Sequence, residues 1–182
     1  MTFDLTAMRD QMRLSIGSAR NVAVFEAGRA RHRALARFAS PRRVLAELNR
    51  RDPERYLTCE AIVRALLTLH RGRRGNLWSQ MLAVTFYPML CRLRQRAATN
   101  ALPADERDQQ VMVAFMLALE SAACAPTKRH LALRLRRQTT RILFEALRKA
   151  ASTTVSLQSD PSPRHEPVSP EPSPLENIEA RR

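Results

Sequence analysis

The chain has 182 residues, 45% of them hydrophobic, and a formal net charge of +14. That length suits one domain, with room for extra helices and a tail, and the apolar fraction is enough for a real core. Of the 31 basic residues 29 are arginine, which favours polyanionic partners: nucleic acid, or an acidic protein or membrane surface.

The first ten residues, MTFDLTAMRD, carry acids where a secretory signal needs a basic region, and no apolar stretch follows. A cytoplasmic protein is expected. Cys59, Cys91 and Cys124 are odd in number and far apart, and no CxxC occurs. That pattern fits small core residues in a reducing compartment, not a disulfide framework or a zinc site. His32, His70, His130 and His165 show no ligand spacing, so no metal or cofactor is implied.

Glycine is scarce, with four residues, and no stretch alternates with period two. Apolar residues recur at three- and four-residue spacing, which predicts an all-α protein: a compact helical bundle of about five to seven helices with a disordered C-terminal tail. In chain order the helices fall at about 3–15, 19–38, 41–50, 56–70, 76–98, 103–122 and 127–150. Pro41, Pro53, Pro103 and Pro126 read as helix starts, because the first helical position needs no N–H partner. Ser40 before Pro41 is a candidate N-cap, and Thr127 after Pro126 is another.

The run from Gly75 to Cys91 carries no charge over 17 residues, the lower limit for a membrane span. Asn76, Ser79, Gln80 and Thr85 lie within it, and arginines flank both ends. A span carries its positive charge on one side. The expectation is a central buried helix with Trp78 and Phe86 in the core. Pro88 then either bends that helix or marks a junction between two.

The next helix, near 103–122, opens on Asp105, Glu106 and Asp108, where carboxylates complement the helix dipole. Val111, Phe115, Ala118, Leu119 and Ala122 form a core stripe. Met112, Val113 and Met116 make the helix apolar almost all round. It is either the middle of the bundle or has a face for a partner, with Asp108, Met112 and Met116 as candidate contacts.

In the last helix Leu131, Leu135, Thr139, Ile142, Leu143, Ala146 and Leu147 share one stripe. Arg134, Arg137, Arg141 and Arg148 form a row nearly opposite. Leu133 and Phe144 flank the row. Guanidinium groups bind phosphate and flat groups stack on bases, so Arg134, Arg137, Arg141, Arg148, Phe144 and Gln138 are candidate nucleic-acid contacts. A protein interface or a plain solvated basic face fits the same pattern. From Ser152 onward the chain has six prolines and six serines in 31 residues and little to form a core. Residues 1–151 hold 28 Arg and Lys against 12 Asp and Glu, while residues 152–182 hold 3 against 5. The basic character belongs to the folded body.

The stretch from about Leu57 to Lys149 resembles the second region of bacterial sigma factors, closest to the extracytoplasmic-function group. AIVRALLTLHRGRRG followed by LWSQMLAVTFYPMLCRLRQR is similar to that family's helix, basic–Gly turn and Tyr-Pro-centred helix, with Tyr87, Pro88 and Leu90 in place. RDQQVMVAFMLAL keeps Asp108, Val111, Phe115, Ala118 and Leu119 in register with the family's acidic helix. TTRILFEALRK matches its final helix in apolar spacing. Met112-Val113 stands where the family has Gln-Glu, and no aromatic residue lies between Ala122 and Leu143. The resemblance implies an N-terminal basic helical extension at 1–55, a sigma-like bundle at 56–151 and a tail at 152–182, without the family's downstream helix-turn-helix domain. It also implies DNA and RNA polymerase as partners, the acidic helix meeting polymerase and the last helix meeting DNA.

No glycine-rich phosphate loop, Gly-x-Ser-x-Gly or His-Glu-x-x-His occurs, so an enzyme is not expected. Two functions remain. One is a DNA-binding, transcription-related protein using the last helix, with the basic segment Arg29–Arg43 as auxiliary. The other is a helical adaptor that binds an acidic protein or a polymerase subunit without reading DNA.

Overall fold

The computed structural model describes residues 3–50, 52–72, 76–99 and 102–158. Among them every regular element is helical: α1 Leu5–Ile16, α2 Ala19–Arg29, α3 Arg33–Ala36, α4 Pro41–Leu48, α5 Tyr56–Arg71, α6 Leu77–Arg96, α7 Ala104–Glu120 and α8 Leu131–Gln158. Residues 1–148 form one compact unit, and residues 149–182 a second, of which 149–158 are the helical end of α8. No boundary near residue 55 divides the first unit. Leu5, Ile16, Phe25, Leu35 and Val44 are as deeply buried as the residues of the later helices, so the N-terminal segment is part of the core.

Helix α6 is the centre of the bundle and packs against α1, α2, α4, α5 and α7. Trp78, Met81, Leu82 and Leu90 are fully buried along it, and Phe86 nearly so. Its lack of charge is therefore the signature of burial on most sides. The helix runs unbroken through Pro88, so Tyr87-Pro88 is not a junction between two helices. No helix among the described residues is long and apolar enough to cross a membrane.

Gly28 allows a close approach between two helices. A Cβ on Gly28 would lie 2.5 Å from the Trp78 ring, so α2 meets α6 only because residue 28 has no side chain. Phe25, one turn earlier, packs its ring 6.2 Å from that of Trp78.

Three expected boundaries move. The helix expected over 19–38 breaks after Arg29 and resumes as α3. No proline or glycine follows Arg29 to force this. The break is tertiary: Phe25 and Leu35 both reach the core, and Arg29 donates to the Phe38 carbonyl at 3.0 Å. The helix expected from Pro126 starts instead at Leu131, after a turn in which His130 takes φ 55°. Its first N–H has a better acceptor than Thr127: Leu131 N lies 3.1 Å from both carboxylate oxygens of Glu60 on α5. Lastly, α8 passes the expected end near residue 150 and continues to Gln158, because no proline or glycine intervenes before Pro161. The rest of the expected tail, from Ser159, lies outside the described residues. Ser40 caps α4 as expected, accepting from Arg43 N at 3.4 Å, with Pro41 first in the helix.

Candidate nucleic-acid interface

Helix α8 is fixed at its start by α5. Glu60 caps it and also pairs with Arg64 at 3.3 Å, while Arg64 reaches the Pro126 carbonyl. Tyr56 Oη lies 3.0 Å from His130 Nδ1 in the same turn. Along α8 the deepest residues are Leu131, Leu135, Thr139, Leu143 and Leu147. Strict four-residue spacing drifts about 40° per step around an α-helix, so the buried stripe winds as the helix crosses the bundle. Ile142 and Ala146, expected in the stripe, lie at its half-buried margin. Thr139 is satisfied inside the helix, donating to the Leu135 carbonyl at 2.7 Å.

This winding sets what faces outward. Arg134, Arg137, Arg141 and Arg148 are exposed, as the sequence spacing predicts. Arg134 Nε donates to the Arg129 carbonyl at 2.9 Å, which steadies it at the helix start. Arg141 lies 3.8 Å from Glu145, a loose one-turn pair that solvent screens. Gln138 is half-buried. Phe144 is also half-buried against the core, and the Arg96 guanidinium sits 5.5 Å from its ring centre. Part of the ring therefore meets the core, and Arg96 lies beside it.

The structure adds cations that helical spacing on α8 alone did not join. Arg96 of α6 lies with Leu133, Arg136, Arg137, Thr140 and Arg141 around a shallow depression on the α8 face. Arg136 points to the side of α8 next to α6, well round the helix from the predicted row. A larger cleft adjoins it, running between α4, α6 and α8 and lined in part by Arg50, Arg92, Arg96 and Arg136. Among the described residues no carboxylate lines either concavity. Only the three-dimensional approach of α6 to α8 brings these arginines together.

Other arginines hold the fold. Arg71 donates to the Leu119 and Ser121 carbonyls and so closes the end of α7. Arg55 pairs with Glu47 at 2.7 Å and Asp52 at 3.0 Å. In the segment Arg29–Arg43, Arg29 is committed to Glu26 and Phe38, and Arg37 lies 3.5 Å from Glu47. Arg31, Arg33, Arg42 and Arg43 remain exposed there.

Of the three partner contacts expected on α7, Asp108 and Met112 are buried and Met116 is half-buried. Asp108 is 1% exposed, its Oδ2 accepting from Leu5 N at 3.1 Å and its Oδ1 2.5 Å from Arg94 Nε. The Arg94 contact is an ion pair at short range, although its N–H does not align as a hydrogen bond. Met112 is buried and Met116 half-buried against the core. The exposed apolar residues of α7 are Val113 at 45% and Leu117 at 53%, one turn apart. They lie opposite the stripe of Val111, Phe115, Ala118 and Leu119, which is buried as expected.

Among the described residues no group of three or more His, Cys, Asp or Glu is placed to hold a metal ion. Burial pushes the Cys124 and Cys59 thiols up from their ordinary value, which disfavours the reactive thiolate in both. The chain is thus an all-α bundle with an arginine-lined concave surface between its central and last helices. No protein-family model matches it, and comparison with characterised proteins and with solved structures yields no match.

Proposed function

We propose that this chain binds DNA as a transcription-related helical protein, akin to the second region of sigma factors. The observation that supports this is the acid-free lining shared by Arg96, Arg136, Arg137 and Arg141. Guanidinium groups recognise phosphate through paired hydrogen bonds, and a surface without carboxylates has nothing to repel a polyanion. The net charge of +14 adds long-range attraction. Arg134, next along the exposed row, extends the surface toward the start of α8. The sigma-like sequence spacing supplies the transcription context and RNA polymerase as a partner.

The test is duplex DNA binding by the full chain over a range of salt concentrations. Each phosphate contact contributes about 0.9 to the slope of log K against log salt. Replacing Arg134, Arg137 and Arg141 together by Ala should reduce that slope by about 2–3. An unchanged slope in the triple variant defeats the reading.

One observation favours the adaptor reading: Val113 and Leu117 expose an apolar pair on α7, with Glu106 and Glu120 exposed on the same helix. Under this reading, partners captured from nuclease-treated extract persist, and Leu117→Glu removes them. Loss of every partner on nuclease treatment rejects it.

A further inference from the structure

We infer that the cleft between α4, α6 and α8 is a binding site for a free nucleoside triphosphate. This goes beyond the nucleic-acid reading: it shares Arg96 and Arg136 with that surface but adds Arg50 and Arg92. The cleft measures about 730 Å³, within the usual size of a small-molecule site. Its cationic lining comes from two helices and a loop: Arg92 and Arg96 on α6, Arg136 on α8, and Arg50 just beyond α4.

The charge balance inside it is one-sided. Arg50 lies 3.5 Å from Glu47, but that carboxylate is shared with Arg37 and Arg55. Among the described residues no ion pair involves Arg92, Arg96 or Arg136. Converging like charges repel, and an anion that carries several charges on one small group removes the repulsion. A triphosphate, with three to four negative charges, matches about the number of guanidinium groups present. A monophosphate leaves most of them unanswered.

The remainder of the lining suits a base rather than more phosphate. Pro88 and Met89 present apolar surface from α6, a support on which a flat ring can lie. Asn49 and Gln95 line the same cleft, and each amide offers both donor and acceptor to a base edge. Among the described lining residues there is no carboxylate, the usual protein ligand for a divalent cation. Arg96 and Arg136 also border the depression on the α8 face, so an occupied cleft draws two cations away from DNA.

Calorimetric titration of the full chain with ATP, AMP and inorganic tripolyphosphate tests this. ATP should bind saturably at one site and continue to do so in EDTA. AMP should bind at least about tenfold more weakly, and tripolyphosphate more weakly than ATP. Arg92→Ala and Arg50→Ala, both exposed residues, should each lower ATP affinity about tenfold, the scale of one charge-assisted contact. Arg137→Ala, outside the cleft, should change it less than about twofold. The inference is overturned by any of three results: no saturation with millimolar ATP, tripolyphosphate binding as tightly as ATP, or Arg137→Ala costing as much as Arg92→Ala. A short oligonucleotide that depends on Arg92 in a protein that does not bind ATP would assign the cleft to a strand instead. ATP binding that survives in a chain with no affinity for DNA refutes the nucleic-acid reading alone, and DNA binding without ATP binding refutes this one alone.

Discussion

Replacing Asp108 by Ala tests whether this residue ties the fold together or meets a partner. Its side chain is 1% exposed and serves two elements at once: it accepts from the first N–H of α1 and pairs with Arg94 on α6. Truncation leaves the Leu5 N–H without its acceptor, which costs about 1–3 kcal/mol in a buried setting. Breaking a fully buried ion pair costs about 3–5 kcal/mol, but the Arg94 side chain is 36% exposed and can turn to water, so only part of that applies. The combined effect is about 3 kcal/mol, or roughly 6–12 °C in melting temperature for a body of this size. Asp108→Asn keeps an acceptor for Leu5 and should lose about half as much, which separates the charge from the hydrogen bond. Thermal unfolding followed by circular dichroism reads both variants. An Asp108→Ala protein that melts within about 2 °C of the parent would refute the structural role, the more so if it had lost a binding partner.

Gly28→Ala should destabilise by about 1–2 kcal/mol, since overpacking against the rigid Trp78 ring outweighs the gain in helix propensity; a more stable variant in urea unfolding would show that α2 can retreat from α6. Glu60→Ala removes the cap from the start of α8 and should cost about 1–2 kcal/mol, with Glu60→Gln retaining most of the stability; amide exchange at Leu131 should rise in the Ala variant, and unchanged protection counts against the cap. Cys124 is fully buried and its thiol is pushed up by that burial, so at pH 8 iodoacetamide should modify it only as fast as the protein opens. Rapid labelling of Cys124 in the folded protein contradicts its placement.

Much of the architecture was legible in the sequence because helices announce themselves locally. The three- and four-residue apolar spacing marked every long helix, Ser40-Pro41 marked the start of α4, and the uncharged run before Arg92 marked the buried centre of the bundle. The outward arginines of α8 followed from spacing too, because a core stripe on one side of a helix fixes what lies opposite. Other features depended on residues far apart in the chain. The start of α8 was decided by Glu60, 71 positions away, and the break after Arg29 by what Phe25 and Leu35 must both reach. On α7 the expected stripe of Val111, Phe115, Ala118 and Leu119 is buried; what packing added is that Asp108 and Met112, beside the stripe, are enclosed with it while Val113 and Leu117 on the far side stay in water. The acid-free surface belongs to this second group. Its cations come from α6 and α8, with Arg50 beyond α4, and no local pattern relates Arg50 or Arg92 to Arg136. Periodicity determines which way a side chain points from its own helix; the approach of one helix to another determines which charges meet.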